Sequence, residues 1–155
     1  MVLMASSIVN RLPKRDQGFK KCGRLCVMCS LSVATTSHKC TTSGKSWKIS
    51  GPITCTTSNV IYKLGCKKCN NFLYIGETSR RVVDRFYQHK GYVTQKKLDQ
   101  PTGRHFNLPG HNVTDLFIIP IEHVLPEGDA FIRKTREKMW IARYDAVSKG
   151  QNTQS

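Results

Sequence analysis

Cys66 and Cys69 stand between two short apolar runs, and that placement constrains the chain more than any other feature. Val60 to Leu64 and Phe72 to Ile75 are rich in β-branched and aromatic residues, so they read as two strands of a hairpin. Cys66-Lys67-Lys68-Cys69 then falls at the hairpin tip, followed by Asn70-Asn71. Tyr62 and Tyr74 occupy matching places in the two strands. Past Gly76, Thr78-Ser79 predicts a helix start, and the helix that follows carries Arg81, Arg85 and His89.

The other cysteines extend the theme. All seven lie between Cys22 and Cys69, in Cys22-x3-Cys26-x2-Cys29, then Cys40, Cys55, Cys66 and Cys69. The first nine residues lack the basic start and apolar core of a secretory leader. An odd cysteine count with two C-x2-C pairs therefore reads as zinc rather than disulfides. Residues 22–57 hold too few apolar side chains to bury a core alone, and a structural zinc would supply the missing folding energy. Cys26 and Cys29 are the firmest ligands by spacing, Cys22 and Cys55 come next, and Cys40 or His38 are alternates. A second site is expected from His105-x5-His111, which with Cys66 and Cys69 would form a Cys2His2 set pinning a downstream loop to the hairpin tip.

Charge narrows the partner. There are 25 Lys and Arg against 10 Asp and Glu, a formal net charge of +15, which points to a polyanion. No stretch of about 18 apolar residues and no isolated basic amphipathic helix exists, so nucleic acid is expected and a membrane is not. Residues 1–21 read as a basic, poorly ordered lead.

Downstream, residues 91–114 read as a loop region, and 115–124 as a third strand whose Pro120 implies an edge position or a bulge. Asp129 is expected to cap a helix reaching about Val147, with Glu137, Trp140, Ile141 and Tyr144 on one face. A carboxylate on that face needs a partner or a metal. The expected fold is α+β: a small three-stranded antiparallel sheet flanked by helices over residues 58–153, preceded by a zinc-stabilised N-terminal extension.

Val60-Ile61-Tyr62 and Tyr74-Ile75-Gly76, with eleven residues between them, resemble the signature of the GIY-YIG nuclease family, with Val60 where the name has Gly. Arg85 stands eleven residues after Tyr74, His89 one turn later, Glu137 lies in an E-x-x-W-I context and Asn152 follows Gly150, so the likeness covers about residues 58 to 153. The Cys66-x2-Cys69 insertion, the upstream C-x2-C, Cys55, Tyr74-Ile75-Gly76-Glu77-Thr78 and the His105 to His111 stretch resemble the endonuclease domain of Penelope-like retroelements. That resemblance implies a Mg²⁺- or Mn²⁺-dependent DNA endonuclease that hydrolyses a phosphodiester bond, nicking for target-primed reverse transcription. It implies Glu137 as ligand to the catalytic metal, Tyr62 as base, Arg85 on the phosphate, and Tyr74 and His89 as positioning groups. Lys63, Gly76, Thr78, Arg81 and Asn152 are expected near the DNA. A phenol titrates near 10, so Tyr62 is expected to be lowered by Lys63, Arg85 or the metal. Expected partners are DNA and a reverse transcriptase, in cis or trans, with its RNA; the expected location is nuclear. The competing reading is a non-catalytic zinc-containing nucleic-acid-binding module. A RING-type interaction domain would need eight ligands in alternating pairs, which the chain lacks.

Overall fold

The computed structural model describes residues 17–24, 26–69 and 72–152. In chain order these form β1 (Gly18–Phe19), α1 (Val27–Leu31), β2 (Ser37–Lys39), β3 (Ser46–Lys48), β4 (Pro52–Ile53), β5 (Val60–Cys66), β6 (Leu73–Thr78), α2 (Val82–Thr94), α3 (Pro101–Phe106), β7 (Leu116–His123), α4 (Ala130–Tyr144) and α5 (Ala146–Lys149). The architecture is α+β. Its central sheet is antiparallel with order β6–β5–β7, and two-stranded pairs β1–β4 and β2–β3 lie outside it. No helix among the described residues is long and apolar enough to cross a membrane.

β5 is the middle strand and is covered on both faces, which is why every residue of it except Lys63 is buried. Side chains alternate across a strand. Val60, Tyr62 and Leu64 enter one core with Val82 and Phe86 of α2, while Ile61 enters another with Ile121, Trp140 and Tyr144. Pro120 satisfies both expectations at once. β7 is an edge strand, and Tyr62 pairs with Pro120 while Ile61 pairs with Glu122, so Ile121 is the extra residue of a bulge.

The N-terminal extension is not a separate linker. Gly18–Phe19 pairs in parallel with Pro52–Ile53, so the expected disordered lead ends before residue 21; residues 1–16 of it lie outside the described residues. Phe19, Met28, Ile49 and Ile53 are fully buried in the same core as β5, and Ser32 donates to the Ile118 carbonyl at 2.7 Å. Isolated apolar residues cannot build a core alone, so they complete the one the sheet provides.

Three helix boundaries differ from expectation. Thr78 belongs to β6, and its hydroxyl accepts from the Arg80 amide at 3.0 Å instead of starting a helix. α2 begins at Val82, where the free amides of Val82 and Val83 donate to the carbonyls of Thr57 and Cys55 at 2.9 and 2.8 Å. The expected loop at 91–114 contains α3, because Pro101 sits at the first helical position, where its missing N–H costs nothing. Asp129 does cap α4, accepting from the Ile132 amide at 3.0 Å, but Asp145 turns left-handed (φ 52°) and ends that helix at Tyr144.

Candidate functional site

Tyr62 sits at the centre of the face covered by α2. Its position against Gly76 explains the glycine: a Cβ there would come within 2.4 Å of the Tyr62 ring. Gly76 thus makes room for the Tyr62 ring. The Arg85 Nε–H donates to Tyr62 Oη at 3.0 Å, and Oη lies 2.9 Å from His89 Nε2. Tyr74 and His89 stack edge-on at 5.8 Å. Burial pushes the Tyr62 phenol up and outweighs the opposing Arg85 charge, the reverse of the lowering expected from Lys63 or Arg85. Burial, aided by Arg85, holds His89 down to about 3 and therefore neutral. Burial also raises Tyr74, against Arg85.

Arg85 also lines an open cleft of about 220 Å³ with Glu77, Thr78, Ser79, Arg80, Gln88 and Arg133. Arg85 donates to the Gln88 side-chain oxygen Oε1, and Glu77 is ion-paired to buried Arg133 and lies 3.6 Å from Lys134. Glu137, half-buried on α4, has its carboxyl raised first by burial and then by the Glu77 charge, with Lys134, the Glu77 amide and Arg85 opposing. Tyr62, Tyr74, Arg85, His89 and Glu137 are thus electrostatically linked around one region, although they come from four elements.

Other expected contacts lie elsewhere. Lys63 follows Tyr62 and so projects from the opposite face, where its ammonium donates to the Lys39 carbonyl at 3.1 Å and lies over the Tyr144 ring. It lines a separate cavity of about 70 Å³ with Cys40. Arg81 is exposed and makes a two-pronged pair with Asp84 at 2.9 Å; Arg80 takes the place in the cleft. Asn152 closes the free edge of β6, accepting from the Ile75 amide at 2.8 Å and donating to the Ile75 carbonyl at 2.7 Å.

Both proposed ligand sets are brought together. Cys22, Cys26, Cys29 and Cys55 form one cluster, and Cys66, Cys69, His105 and His111 another, each with all ligand atoms within 4.8 Å of one another. No cysteine is in a disulfide. In the first cluster Sγ–Sγ distances are 3.8, 3.7 and 3.5 Å. A tetrahedral zinc with Zn–S near 2.3 Å demands edges of about 3.8 Å, far from the roughly 2.05 Å of a disulfide. In the second, Cys69 Sγ lies 3.4 and 3.7 Å from the Nε2 atoms of His105 and His111; the mixed S–N edge is about 3.6 Å. The donor sets and spacings fit structural zinc at both places. Backbone amides of Cys22 and Cys29 point at sulfurs of the first cluster, at 3.4 and 3.3 Å. The Cys22 thiol falls to about 7, chiefly through Cys55, while burial raises Cys55. The alternates are excluded by position: Cys40 bonds Thr42, and His38 bonds Tyr144.

Glu77, Arg80, Gln88 and Arg133 were not anticipated. Arg133 lies one turn before Glu137 on α4, a spacing that could have revealed it. Comparison with family models, with curated proteins and with solved structures returned no match for this chain.

Proposed function

We propose that this chain is a metal-dependent DNA endonuclease of the GIY-YIG type, similar to the retroelement domains, that nicks DNA by phosphodiester hydrolysis. The observation that carries this reading is Arg85, which bonds the buried Tyr62 hydroxyl and also forms a wall of the basic cleft. A binding module gains nothing from tying a phosphate-facing arginine to a buried Tyr–His pair. The formal charge of +15 suits a DNA substrate.

In this reading the planar fork of Arg85 engages the scissile phosphate and stabilises charge as it builds. Arg80 holds neighbouring negative charge at the cleft, where the Arg133 charge is already paired with Glu77. Tyr62 keeps its proton at rest, because burial disfavours the phenolate. As water attacks phosphorus, its proton passes to Tyr62 Oη while the Tyr62 proton passes to neutral His89 Nε2, and the sugar oxygen leaves with the bonding electron pair and takes a proton from solvent. Tyr74 packs against His89 and orients that relay. Glu137 would hold Mg²⁺ or Mn²⁺, a hard cation that neutralises phosphate charge when bound; a half-buried carboxylate raised by a neighbouring carboxylate suits such a cation. The zinc clusters carry no chemistry, since protein ligands fill all four positions. Nicking beside a reverse transcriptase, in the nucleus, is the biological setting this reading suggests.

The test is a supercoiled-plasmid nicking assay with Mg²⁺. Arg85→Ala and Glu137→Ala should each lower the nicking rate at least a hundredfold while DNA binding persists. Wild-type-like nicking by both variants, or none by the wild type, would leave a zinc-containing DNA-binding module as the better reading.

A further inference from the structure

Thr102 is almost wholly buried, on a helix that the proposed chemistry does not otherwise use. Its Oγ1 lies 3.3 Å from His89 Nδ1. The donor and acceptor roles in this chain of contacts follow from one end. An arginine can only donate, so Tyr62 Oη accepts from Arg85 Nε–H. The Tyr62 proton then has one acceptor among the described residues, His89 Nε2. A neutral imidazole that accepts at Nε2 carries its proton on Nδ1, and a buried Nδ1–H needs an acceptor of its own. Thr102 Oγ1 is that acceptor. The opposite tautomer would turn Nε2 into a donor and leave the buried Tyr62 proton without a partner.

The local sequence explains how Thr102 reaches His89. Gly103 lets α3 press against the end of α2: a Cβ there would stand 2.0 Å from the Lys97 carbonyl oxygen and 2.9 Å from that of Tyr92. Asn107 fastens the same contact, its Nδ2 donating to the carbonyls of Val93 at 3.0 Å and Gly103 at 2.7 Å. His105, three residues beyond Thr102, belongs to the Cys2His2 cluster and ties α3 to the hairpin tip.

We propose that Thr102 is a positioning residue for the candidate endonuclease site: by accepting from His89 Nδ1–H it holds the Nε2 lone pair of His89 on the Tyr62 hydroxyl. The catalytic part of this proposal rests on the endonuclease reading; the tautomer part does not.

Both parts can be tested on the full chain with zinc, labelled with ¹⁵N-histidine. In the wild type, the His89 ring should show a protonated Nδ1 and a bare Nε2. Thr102→Val removes the hydroxyl at nearly constant shape and should redistribute His89 toward protonated Nε2. It should also lower kcat for plasmid nicking about tenfold or more with KM unchanged, because a wrong tautomer cannot take the proton. Thr102→Ser should restore both signals. An unchanged His89 spectrum in Thr102→Val, or wild-type kcat in a folded Thr102→Val, would overturn the assignment. If Thr102→Val does not fold, the wild-type spectrum still decides: a protonated Nε2 there sinks the proposal. A wild type that never nicks DNA would defeat the endonuclease reading instead, with the ring signals still ruling on Thr102.

Discussion

The central sheet carries a buried His–Tyr pair on each face, and the two pairs have different surroundings. On one face Tyr62 Oη meets His89 Nε2 at 2.9 Å; on the other Tyr144 Oη meets His38 Nδ1 at 2.6 Å. Burial raises both phenols and lowers both imidazoles, to about 3 for His89 and about 4 for His38. A perturbed His–Tyr pair therefore does not mark a site by itself. What differs is the third partner. Tyr62 also receives Arg85, which opens onto a basic cleft. His38 is enclosed by Trp47, Trp140 and Tyr144, and its Nε2 has no partner among the described residues. Only the Tyr62 pair is joined to a residue that lines a cleft, whereas the Tyr144 pair is enclosed by aromatic packing.

The sharpest way to break this contrast is to delete each pair whole, since neither member of the His–Tyr bond is then left without the other; on the Tyr62 side only Arg85 Nε–H and the Thr102 hydroxyl lose a partner. Tyr62→Phe with His89→Phe should lower plasmid nicking a hundredfold or more. His38→Phe with Tyr144→Phe should leave the rate within about twofold. Equal losses from the two double variants would show that both pairs act through stability alone.

Much of this was legible locally. The C-x2-C pairs announce their clusters because neighbouring ligands must lie within one short turn, and β5, β7 and α4 follow from apolar periods. Lys63 was misplaced although the period of two that seats Tyr62 inward seats Lys63 on the far face. The Thr102–His89 contact and the pairing of Arg133 with Glu77 were not legible, because the partners lie across the fold; the one-turn spacing to Glu137 points to Arg133 but not to its partner. The embedding of 17–57 was hidden for another reason: Phe19, Ile49 and Ile53 are scattered apolar residues among polar ones, Met28 sits in a run too short to build a core, and all four join the core that β5 and α2 provide.

The Cys2His2 cluster offers an intermediate effect, since its His105 ties α3, which carries Thr102, to the hairpin tip. His111→Ala should reduce bound zinc from two ions per chain to one by elemental analysis. It should also slow nicking about tenfold by loosening α3 and with it the His89 contact. Both tryptophans of the chain pack around His38, so their fluorescence reads the other face. Unchanged emission alongside slower nicking would support independent faces; a red shift would show that the cluster holds up both.

The smallest effect is a pH slope, and its sign follows from burial. Desolvation, with a lesser push from the Lys63 charge, holds His38 at about 4 in the folded chain, whereas an unfolded histidine titrates near 6.5. Between those values the unfolded chain binds a proton that the folded chain refuses. The stabilisation is therefore complete above about pH 6.5 and is lost as pH falls toward 4. His89 acts in the same direction and extends the window toward 3. The variant His38→Phe with Tyr144→Phe keeps His89 and both Cys/His clusters, so their contributions cancel against the wild type. Urea unfolding at pH 7 and 4.5 should show the wild type losing on the order of 2 kcal/mol more than this variant. Tryptophan emission should be quenched with a midpoint near 4, as the imidazolium forms among the two indoles. A midpoint near 6.5 would mean that the His38 face is open to water, and the two pairs would then differ in solvation rather than in their third partner.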